Sequence, residues 1–291
     1  DGGDDMAPPM VDVGVDLDAG TIKIGLLSDL TGAFGPLVSA IVAGQEIYWA
    51  NVNANGGING LQVELVVRDT VYEVPNHVQF YEELKDQVVA FGHSTGSVHT
   101  LAINEDLQRD GILAIPLTWY SGWTDPDINS NLLPHGVPYC IEAMNMIEYL
   151  QGVAQDNGIA NPTLAVASIP GDFGLDAMTG ALAAAAELGI DIVHDGSATI
   201  IPGQDLLPVS DAIANSGADM VYVTTTPGTF GEVYGGAIAQ GFQALWSGAG
   251  PSYNPVFLDG AIADAIARDF YGSFYLDPWG SDSAGMQELM A

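Results

Sequence analysis

The segment Val88-Val89-Ala90-Phe91-Gly92-His93-Ser94-Thr95-Gly96-Ser97 fits two different functions. Its apolar part, Val88–Gly92, is typical of a buried β-strand, and a helical pattern follows from Ser97 to Gln108. The intervening residues match the G-x-S-x-G pattern of a nucleophile elbow, in which Ser94 would act as a catalytic nucleophile. They also fit a βα loop, whose hydroxyl and backbone N–H groups at a helix N-terminus bind an anion without breaking a bond.

Strands and helices alternate on both sides of this segment. The pattern predicts strands at Ile22–Ser28, Leu61–Asp69 and Ile112–Leu117, with helices at Ser39–Asn55 and Pro75–Asp86. Strands separated by helix-length segments predict right-handed βαβ crossovers and a parallel sheet covered on both faces.

A second alternating series follows residue 136. It predicts helices at Cys140–Asn157, Gly174–Leu188, Leu206–Ser216 and Thr229–Gly241, and strands at Thr163–Ile169, Asp191–Ala198, Met220–Thr225, Pro255–Asp259 and Ser273–Leu276. The two series predict two doubly wound α/β lobes. The final residues, Gly285–Ala291, have the pattern of the first turns of a helix, so we expect a C-terminally incomplete chain.

An aromatic loop separates the two series. Residues 118–136 begin with Thr118-Trp119-Tyr120-Ser121-Gly122-Trp123, directly after a predicted strand. Open α/β sheets bind ligands at the carboxyl ends of their strands, so we expect this loop to contact a ligand. Core packing is the alternative for each aromatic residue taken alone.

Composition excludes several functions. The 291 residues include 37 acidic and five basic side chains, and the formal charge of −32 disfavours nucleic acids and anionic membranes as partners. This charge favours a saline, extracytoplasmic setting, because salt screens self-repulsion; simple solubility is the alternative explanation. Cys140 is the only cysteine, which excludes an intramolecular disulfide, and we expect it to pack in the core.

The first 20 residues are acidic, rich in glycine and proline, and aperiodic, which predicts a disordered tether. A tether suits a protein held at a surface, although a lipid anchor would need a cysteine upstream of Asp1. The sequence contains no run of the length and apolarity of a transmembrane helix.

Catalysis by Ser94 has little further support. A hydrolase of the elbow type needs a histidine base and an acid after the serine. His99 follows too closely, His194 falls within a predicted strand, and the Pro134-His135-Gly136 segment lies on the wrong side of the motif for an oxyanion hole. The histidines also lack metal-binding spacing and no phosphate-binding GxxxxGK[ST] motif occurs, so we expect no metal, cofactor or enzymatic activity.

The chain resembles the type I periplasmic binding proteins, in particular the branched-chain amino-acid receptors of ABC importers. The resemblance covers Thr21 to Ala291 and rests on IKIGLLSDLTGAFG, ANVNANGGINGLQVELVVRD, VVAFGHSTG, DGILAIPL and IPGDFGLDAM. It implies two lobes that close on a small solute like a Venus flytrap, with an ABC permease as partner. On this basis we expect lobe 1 at residues 21–136, lobe 2 at 137–272 and the start of a return to lobe 1 at 273–291. The hinge crossings would lie near Val137–Cys140 and Tyr271–Trp279.

The resemblance also implies site residues. In lobe 1 they are Phe34, Ser94, Thr95, Thr118, Trp119, Tyr120 and Ser121; in lobe 2 they are Phe173, Thr225, Thr226 and Asp259. Ser94 and nearby N–H groups would bind an α-carboxylate and Asp259 an α-ammonium, with aromatic side chains around them. A helix N-cap before Ala261 is the structural alternative for Asp259.

The pocket departs from that of branched-chain receptors. Bulky Trp119 and Tyr120 replace small residues, and an aromatic residue expected near Thr226 is absent. We therefore expect an amino acid, an amide or a urea derivative rather than leucine itself. A sensory protein of the same fold is a second interpretation, and a serine hydrolase a third.

Overall fold

In the computed structural model, residues 12–274, 276–277 and 280–290 are described. The chain divides into two units. The first comprises the described residues up to Thr118 together with Asp125–Pro134, and the second comprises Trp119–Thr124 and the described residues from His135 onward.

The first unit contains one five-stranded sheet. Its elements are strands β1 (Val15–Asp16), β2 (Thr21–Ser28), β3 (Gln62–Asp69), β4 (Ala90–Thr95) and β5 (Leu113–Leu117), and helices α1 (Gly35–Ala54), α2 (Val74–Leu84) and α3 (Ser97–Asp110). Strands β3, β2, β4 and β5 are parallel and lie in that order. The direction of winding reverses between β2 and β4, which is where open α/β sheets form ligand sites at their carboxyl edge.

The second unit repeats this arrangement with a four-stranded sheet. Its strands are β6 (Leu164–Ser168), β7 (Ile192–Gly196), β8 (Met220–Thr224) and β9 (Leu245–Ser247), and its helices are α4 (Tyr139–Asp156), α5 (Asp172–Leu188), α6 (Leu207–Ser216), α7 (Pro227–Ile238), α8 (Ala263–Asp269) and α9 (Ala284–Met290). All pairs are parallel, in the order β7-β6-β8-β9. Every residue of β6 and β8 is buried, as expected for central strands covered on both faces.

The predicted fold class, α/β with two doubly wound parallel sheets, is confirmed. Helix α1 begins four residues earlier than predicted, because Pro36 is compatible with the first turn of a helix. Strand β4 runs on through Ser94 to Thr95, whereas the strand was expected to end at Gly92. Short strand β9 and helix α8 were not predicted, and Pro255–Asp259 forms a 3₁₀ helix rather than a strand.

Two expectations about the ends of the chain need correction. The tether predicted for residues 1–20 does not extend to residue 20, because β1 pairs with the start of β2 and the Gly14 carbonyl accepts a hydrogen bond from Lys23 N at 2.8 Å. Residues 1–11 lie outside the described part of the chain. The described residues of the predicted strand at Ser273–Leu276 have no regular structure, and the described residues from 273 to 290 group with the second unit instead of beginning a return to the first.

Among the described residues, no helix combines the length and apolarity needed to span a membrane.

Candidate functional site

The loop after β2 is shaped by one buried carboxylate. Asp29 accepts hydrogen bonds from the backbone N–H groups of Gly32 and Phe34, both at 2.6 Å. Burial raises the pKa of Asp29, and the two N–H donors oppose this effect. The result is a fixed position for Phe34, a predicted site residue, at the N-cap of α1 with its side chain 7% exposed.

The neighbouring loop after β3 carries backbone strain. Val71 and Tyr72 adopt φ values of +55° and +54°, which are unfavourable for residues other than glycine. The Asp69 carboxylate holds this conformation by accepting from Val71 N at 3.0 Å, and it also accepts from Leu30 N at 3.0 Å. This geometry places the Tyr72 ring 4.9 Å from the Phe34 ring and 4.3 Å from the His99 ring.

Ser94 does not occupy a nucleophile elbow. It lies inside β4, and the left-handed residue of the β4–α3 turn is Gly96, with φ +97°. The Ser94 hydroxyl is fully buried and hydrogen-bonded to His77 Nε2 at 2.9 Å and Thr100 Oγ1 at 2.8 Å.

The Ser94–His77 pair lacks the third group of a triad. Burial lowers the pKa of His77 to about 3, and among the described residues its Nδ1 has no hydrogen-bond partner that could orient it. Because the hydroxyl is enclosed and the base is unsupported, the arrangement is a packed polar contact, and the hydrolase interpretation of this motif is wrong.

In this turn, the side-chain hydroxyl of Thr95 can form further hydrogen bonds. Its side chain is 3% exposed, and its Oγ1 has no partner within the described part of the chain. Gly96 provides no side-chain cap for α3, and the first N–H groups of a helix have no partner within the helix itself. Next to it, Ser97 Oγ and Thr118 Oγ1 are 2.5 Å apart, so Thr118 is a buried partner of the α3 N-terminus.

The first part of the predicted aromatic loop, Trp119–Thr124, belongs to the second unit, whereas Thr118 and Asp125–Pro134 group with the first. Trp119, Tyr120 and Ser121 were expected in lobe 1, but Asp176 of α5 accepts hydrogen bonds from Ser121 N at 2.9 Å and from Ser121 Oγ. The Trp119 carbonyl also accepts from Tyr139 N at 2.7 Å. These bonds to α4 and α5 attach the segment to the second unit. Sequence periodicity does not reveal them, because Asp176 is far from Ser121 along the chain.

Aromatic side chains surround this segment. Ring centroids of Tyr139 and Phe173 are 4.6 Å apart, and those of Trp119 and Tyr139 are 6.0 Å apart. Phe173, a predicted site residue, lies in the first turn of α5 and is 5% exposed. The structure thus brings together Trp119 and Phe173, with Tyr139 between them as a member that the sequence did not indicate.

Thr225 and Thr226 follow β8 at the carboxyl edge of the second sheet. Thr226 is the N-cap of α7 and its Oγ1 accepts from Thr229 N at 3.4 Å. Thr225 N donates to Ser252 Oγ at 3.0 Å, while Thr225 Oγ1 has no partner among the described residues. Thr226 is therefore occupied by helix capping, and Thr225 is the better candidate for a ligand contact.

Asp259 does not end a strand, although the sequence had predicted this. It is exposed at the end of the 3₁₀ helix Pro255–Asp259, and helix α8 begins at Ala263 with Ile262 at its N-cap, so the predicted N-cap role is wrong. The residues directly after β9, at the carboxyl edge, are Gly248–Ser252.

A buried glutamate that the sequence did not indicate accepts hydrogen bonds from residues that follow β9. Glu142 of α4 accepts from Gly250 N at 2.8 Å and from Ser273 Oγ. Burial raises the pKa of Glu142 to about 7, against the effect of the two donors. No group of three or more His, Cys, Asp or Glu in the described part of the chain is arranged to hold a metal ion.

The chain therefore has two doubly wound α/β units, each with hydroxyl and aromatic side chains at a carboxyl edge, where open α/β sheets bind ligands. A profile of the periplasmic binding protein family matches residues 21–291, and the chain belongs to this family. A search of curated protein sequences found no match.

Solved structures agree with this assignment. A fatty acid ABC transporter substrate-binding protein from Thermomonospora curvata is 26% identical with a TM-score of 0.84, covering 94% of this chain and 68% of its own. A branched chain amino acid ABC transporter protein from Thermus thermophilus with bound valine is 22% identical with a TM-score of 0.77, covering 92% and 68%. A solute binding protein from R. palustris in complex with 4-hydroxybenzoate is 18% identical with a TM-score of 0.70, covering 84% and 66%.

The predicted membership in the type I periplasmic binding proteins is thereby confirmed. The family and these structural neighbours are solute-binding proteins, so the prediction of a binding protein rather than an enzyme is confirmed as well. Membership implies an extracytoplasmic location, a small-molecule ligand and an ABC permease as partner.

Proposed function

We propose that the protein captures a small zwitterionic carboxylate, such as an amino acid, for an ABC importer. The observation that carries this proposal is the pair formed by the unpartnered Thr95 Oγ1 and the uncapped N-terminus of α3. Backbone N–H groups at a helix N-terminus together with a hydroxyl donor are well suited to a carboxylate. In this proposal Thr95 takes the role that the sequence suggested for Ser94.

The distribution of positive charge supports neutral donors for this role. Four of the five basic residues, Arg68, Lys85, Arg109 and Arg268, form ion pairs with acidic side chains of their own unit. The fifth, Lys23, lies near the start of β2, toward the edge of the sheet opposite Thr95. A bound carboxylate would therefore be held by N–H and O–H groups.

The ligands of the structural neighbours share the same chemical group. The Thermomonospora protein is named for fatty acids, the Thermus protein contains valine and the R. palustris protein contains 4-hydroxybenzoate, and each of these compounds bears a carboxylate. A zwitterion suits this chain better than a simple anion, because a formal charge of −32 repels anions and attracts an ammonium group.

The second unit has aromatic, carboxylate and hydroxyl groups of its own that suit a polar solute. Trp119, Tyr139 and Phe173 present aromatic rings, which attract cations through their π faces. Asp259 remains a candidate carboxylate partner, and Thr225 Oγ1 a candidate hydrogen-bond partner. Bulky Trp119 and Tyr120 favour a small solute, and amides and ureas remain the alternative ligands.

The acidic composition supports a saline setting. At about 1 M salt the screening length falls to about 3 Å, which weakens repulsion among the 37 acidic side chains. We also propose attachment to the membrane through a lipid anchor upstream of residue 1.

A thermal unfolding screen in about 1 M KCl tests the proposal. The panel contains amino acids, amides, ureas, octanoate and 4-hydroxybenzoate at millimolar concentration. A ligand at about 100 times its Kd adds about 2.7 kcal/mol to the free energy of unfolding, which is a clear shift in Tm. A shift with one zwitterionic carboxylate supports the proposal; a shift with amides or ureas alone would contradict it.

A further inference from the structure

We propose that His99 and Tyr72 belong to the first-unit site, and that the His99 imidazole donates a further hydrogen bond to the carboxylate of the solute. This inference rests on the proposed function, because it assigns additional residues to the same carboxylate. Neither residue was indicated by the sequence.

His99 is a buried polar group without a partner. It lies in the first turn of α3, its side chain is 2% exposed, and neither ring nitrogen has a hydrogen-bond partner among the described residues. Leaving a buried polar group without a hydrogen-bond partner is unfavourable, and buried groups of this kind are rare unless a ligand or water completes them.

The unpartnered imidazole lies beside the unpartnered hydroxyl. A Cβ on Gly96 would be 2.5 Å from His99 Nδ1, so this nitrogen faces the β4–α3 turn directly. Thr95, with its free Oγ1, is the preceding residue of that turn. Two buried polar groups lacking partners therefore flank one glycine at the N-terminus of a 14-residue helix.

Tyr72 holds the imidazole in this position. The centroids of the Tyr72 and His99 rings are 4.3 Å apart, at an interplanar angle of 40°. The Phe34 ring packs on Tyr72 with a centroid distance of 4.9 Å. Val71 and Tyr72 both have positive φ, which is unfavourable for residues other than glycine. Backbone strain of this kind concentrates at ligand sites, where the surrounding contacts hold it in place.

The charged and titratable groups around His99 leave it neutral at pH 7. Burial lowers its pKa, whereas the neighbouring Tyr72 backbone and the Asp29 and Glu73 carboxylates oppose this effect. The His77 ring packs beside the His99 ring, with a centroid distance of 5.5 Å. His77 is itself uncharged, because burial lowers its pKa to about 3. A neutral imidazole has one N–H, which is the donor required here.

The test compares carboxylates with their amides. Titration calorimetry at pH 7.5 in 1 M KCl uses L-valine with L-valinamide, 4-hydroxybenzoate with 4-hydroxybenzamide, and octanoate with octanamide. His99→Phe keeps the ring packing and removes both nitrogens, His99→Asn retains a donor, and His194→Phe in the second unit is the matched control. We expect His99→Phe to weaken carboxylate binding about tenfold, His99→Asn to restore part of it, and His194→Phe to leave it unchanged.

Imidazole nitrogen chemical shifts give a second readout that a purely structural role would not move. In the wild-type protein the His99 shifts should change when the carboxylate is added, and this holds even if His99→Phe fails to fold. Failure of every carboxylate to bind the wild-type protein would contradict the proposed function. Normal binding by His99→Phe, with unmoved His99 shifts in the wild type, would overturn this inference alone.

Discussion

The ring of Tyr72 lies 4.3 Å from the ring of His99, and Tyr72 reaches this position with a left-handed backbone at φ +54°. The two side chains come from different segments, the β3–α2 loop and the first turn of α3. Their contact closes one side of the β4–α3 turn, where Thr95 and His99 present polar atoms that have no partners among the described residues. Several consequences for stability and binding can be measured.

Substitution of Gly96 by alanine should destabilise the first unit by about 2–4 kcal/mol. A Cβ there would meet His99 Nδ1 at 2.5 Å and Tyr72 Cε2 at 2.9 Å, on a backbone with φ +97°. Gly111→Ala is the control, because Gly111 also has a positive φ but faces open space, so only the backbone cost of about 1–2 kcal/mol applies. Urea unfolding measures both. Equal losses would show that the packing of His99 against the turn is unimportant.

Substitution of Asp176 by asparagine should loosen residues 119–124. The two Asp176 carboxylate oxygens accept hydrogen bonds from Ser121 N, Ser121 Oγ and Cys140 N. Asparagine has only one acceptor oxygen, and its NH₂ group would face these donors. We expect a loss of about 1–3 kcal/mol in unfolding free energy and faster hydrogen exchange in this segment. Asp191→Asn, at an exposed position of the same unit, is the control. Unchanged hydrogen exchange in residues 119–124 would show that Asp176 does not hold this segment against α5.

Glu142 should make the stability of the second unit fall as the pH rises. Burial raises its pKa from 4.5 to about 7, so its contribution is fully present below about pH 4.5 and is lost as the pH rises through 7. Glu142→Gln removes this titration. The difference in unfolding free energy, variant minus wild type, should therefore increase by up to about 3 kcal/mol from pH 4.5 to 8. Glu148→Gln, exposed on the same helix, is the control. If the curves of Glu142→Gln and the wild type stay parallel, the carboxyl is not buried as described.

Two histidines of the first unit should have the opposite effect. Burial lowers the pKa of His77 to about 3 and that of His93 to about 4, so the stability they contribute is complete above about pH 6.5 and is lost as the pH falls toward 4. Proton NMR of the imidazole Cε1–H groups should show neither residue titrating above pH 5 in the folded protein, and both titrating near 6.5 in urea. A folded-state midpoint near 6.5 for either histidine would refute its burial.

The sequence predicted the fold better than the site, for physical reasons. Hydrophobic periodicity is local, so most strands and helices were predicted within a few residues of their bounds, and both parallel sheets followed from their alternation. The contacts of Asp176 with Ser121, and of Glu142 with Gly250, join distant segments and leave no local signal. The strained backbone of Tyr72 was equally invisible, because neither Val71 nor Tyr72 is a residue type that favours positive φ.

The serine motif shows the same limit. The spacing of Gly92, Ser94 and Gly96 suggested an elbow, but the strand continues through Ser94, and the turn begins two residues later. A motif defined by spacing alone does not establish where a strand ends. The unpartnered hydroxyl is consequently that of Thr95, which the sequence named together with Ser94.

We propose that Thr95 and the N-terminus of α3 bind the carboxylate of a small zwitterion. The most direct measurement is calorimetric titration of the most stabilising amino acid from the thermal screen, and of its amide, into the wild-type protein, Thr95→Val and Thr21→Val. Thr21→Val is the matched control, because Thr21 begins β2 at the opposite edge of the same sheet. We expect the wild-type protein to bind the amino acid but not its amide, Thr95→Val to bind it about tenfold more weakly without loss of folding stability, and Thr21→Val to bind it unchanged. Equal binding of amino acid and amide, with no effect of Thr95→Val, would contradict this proposal.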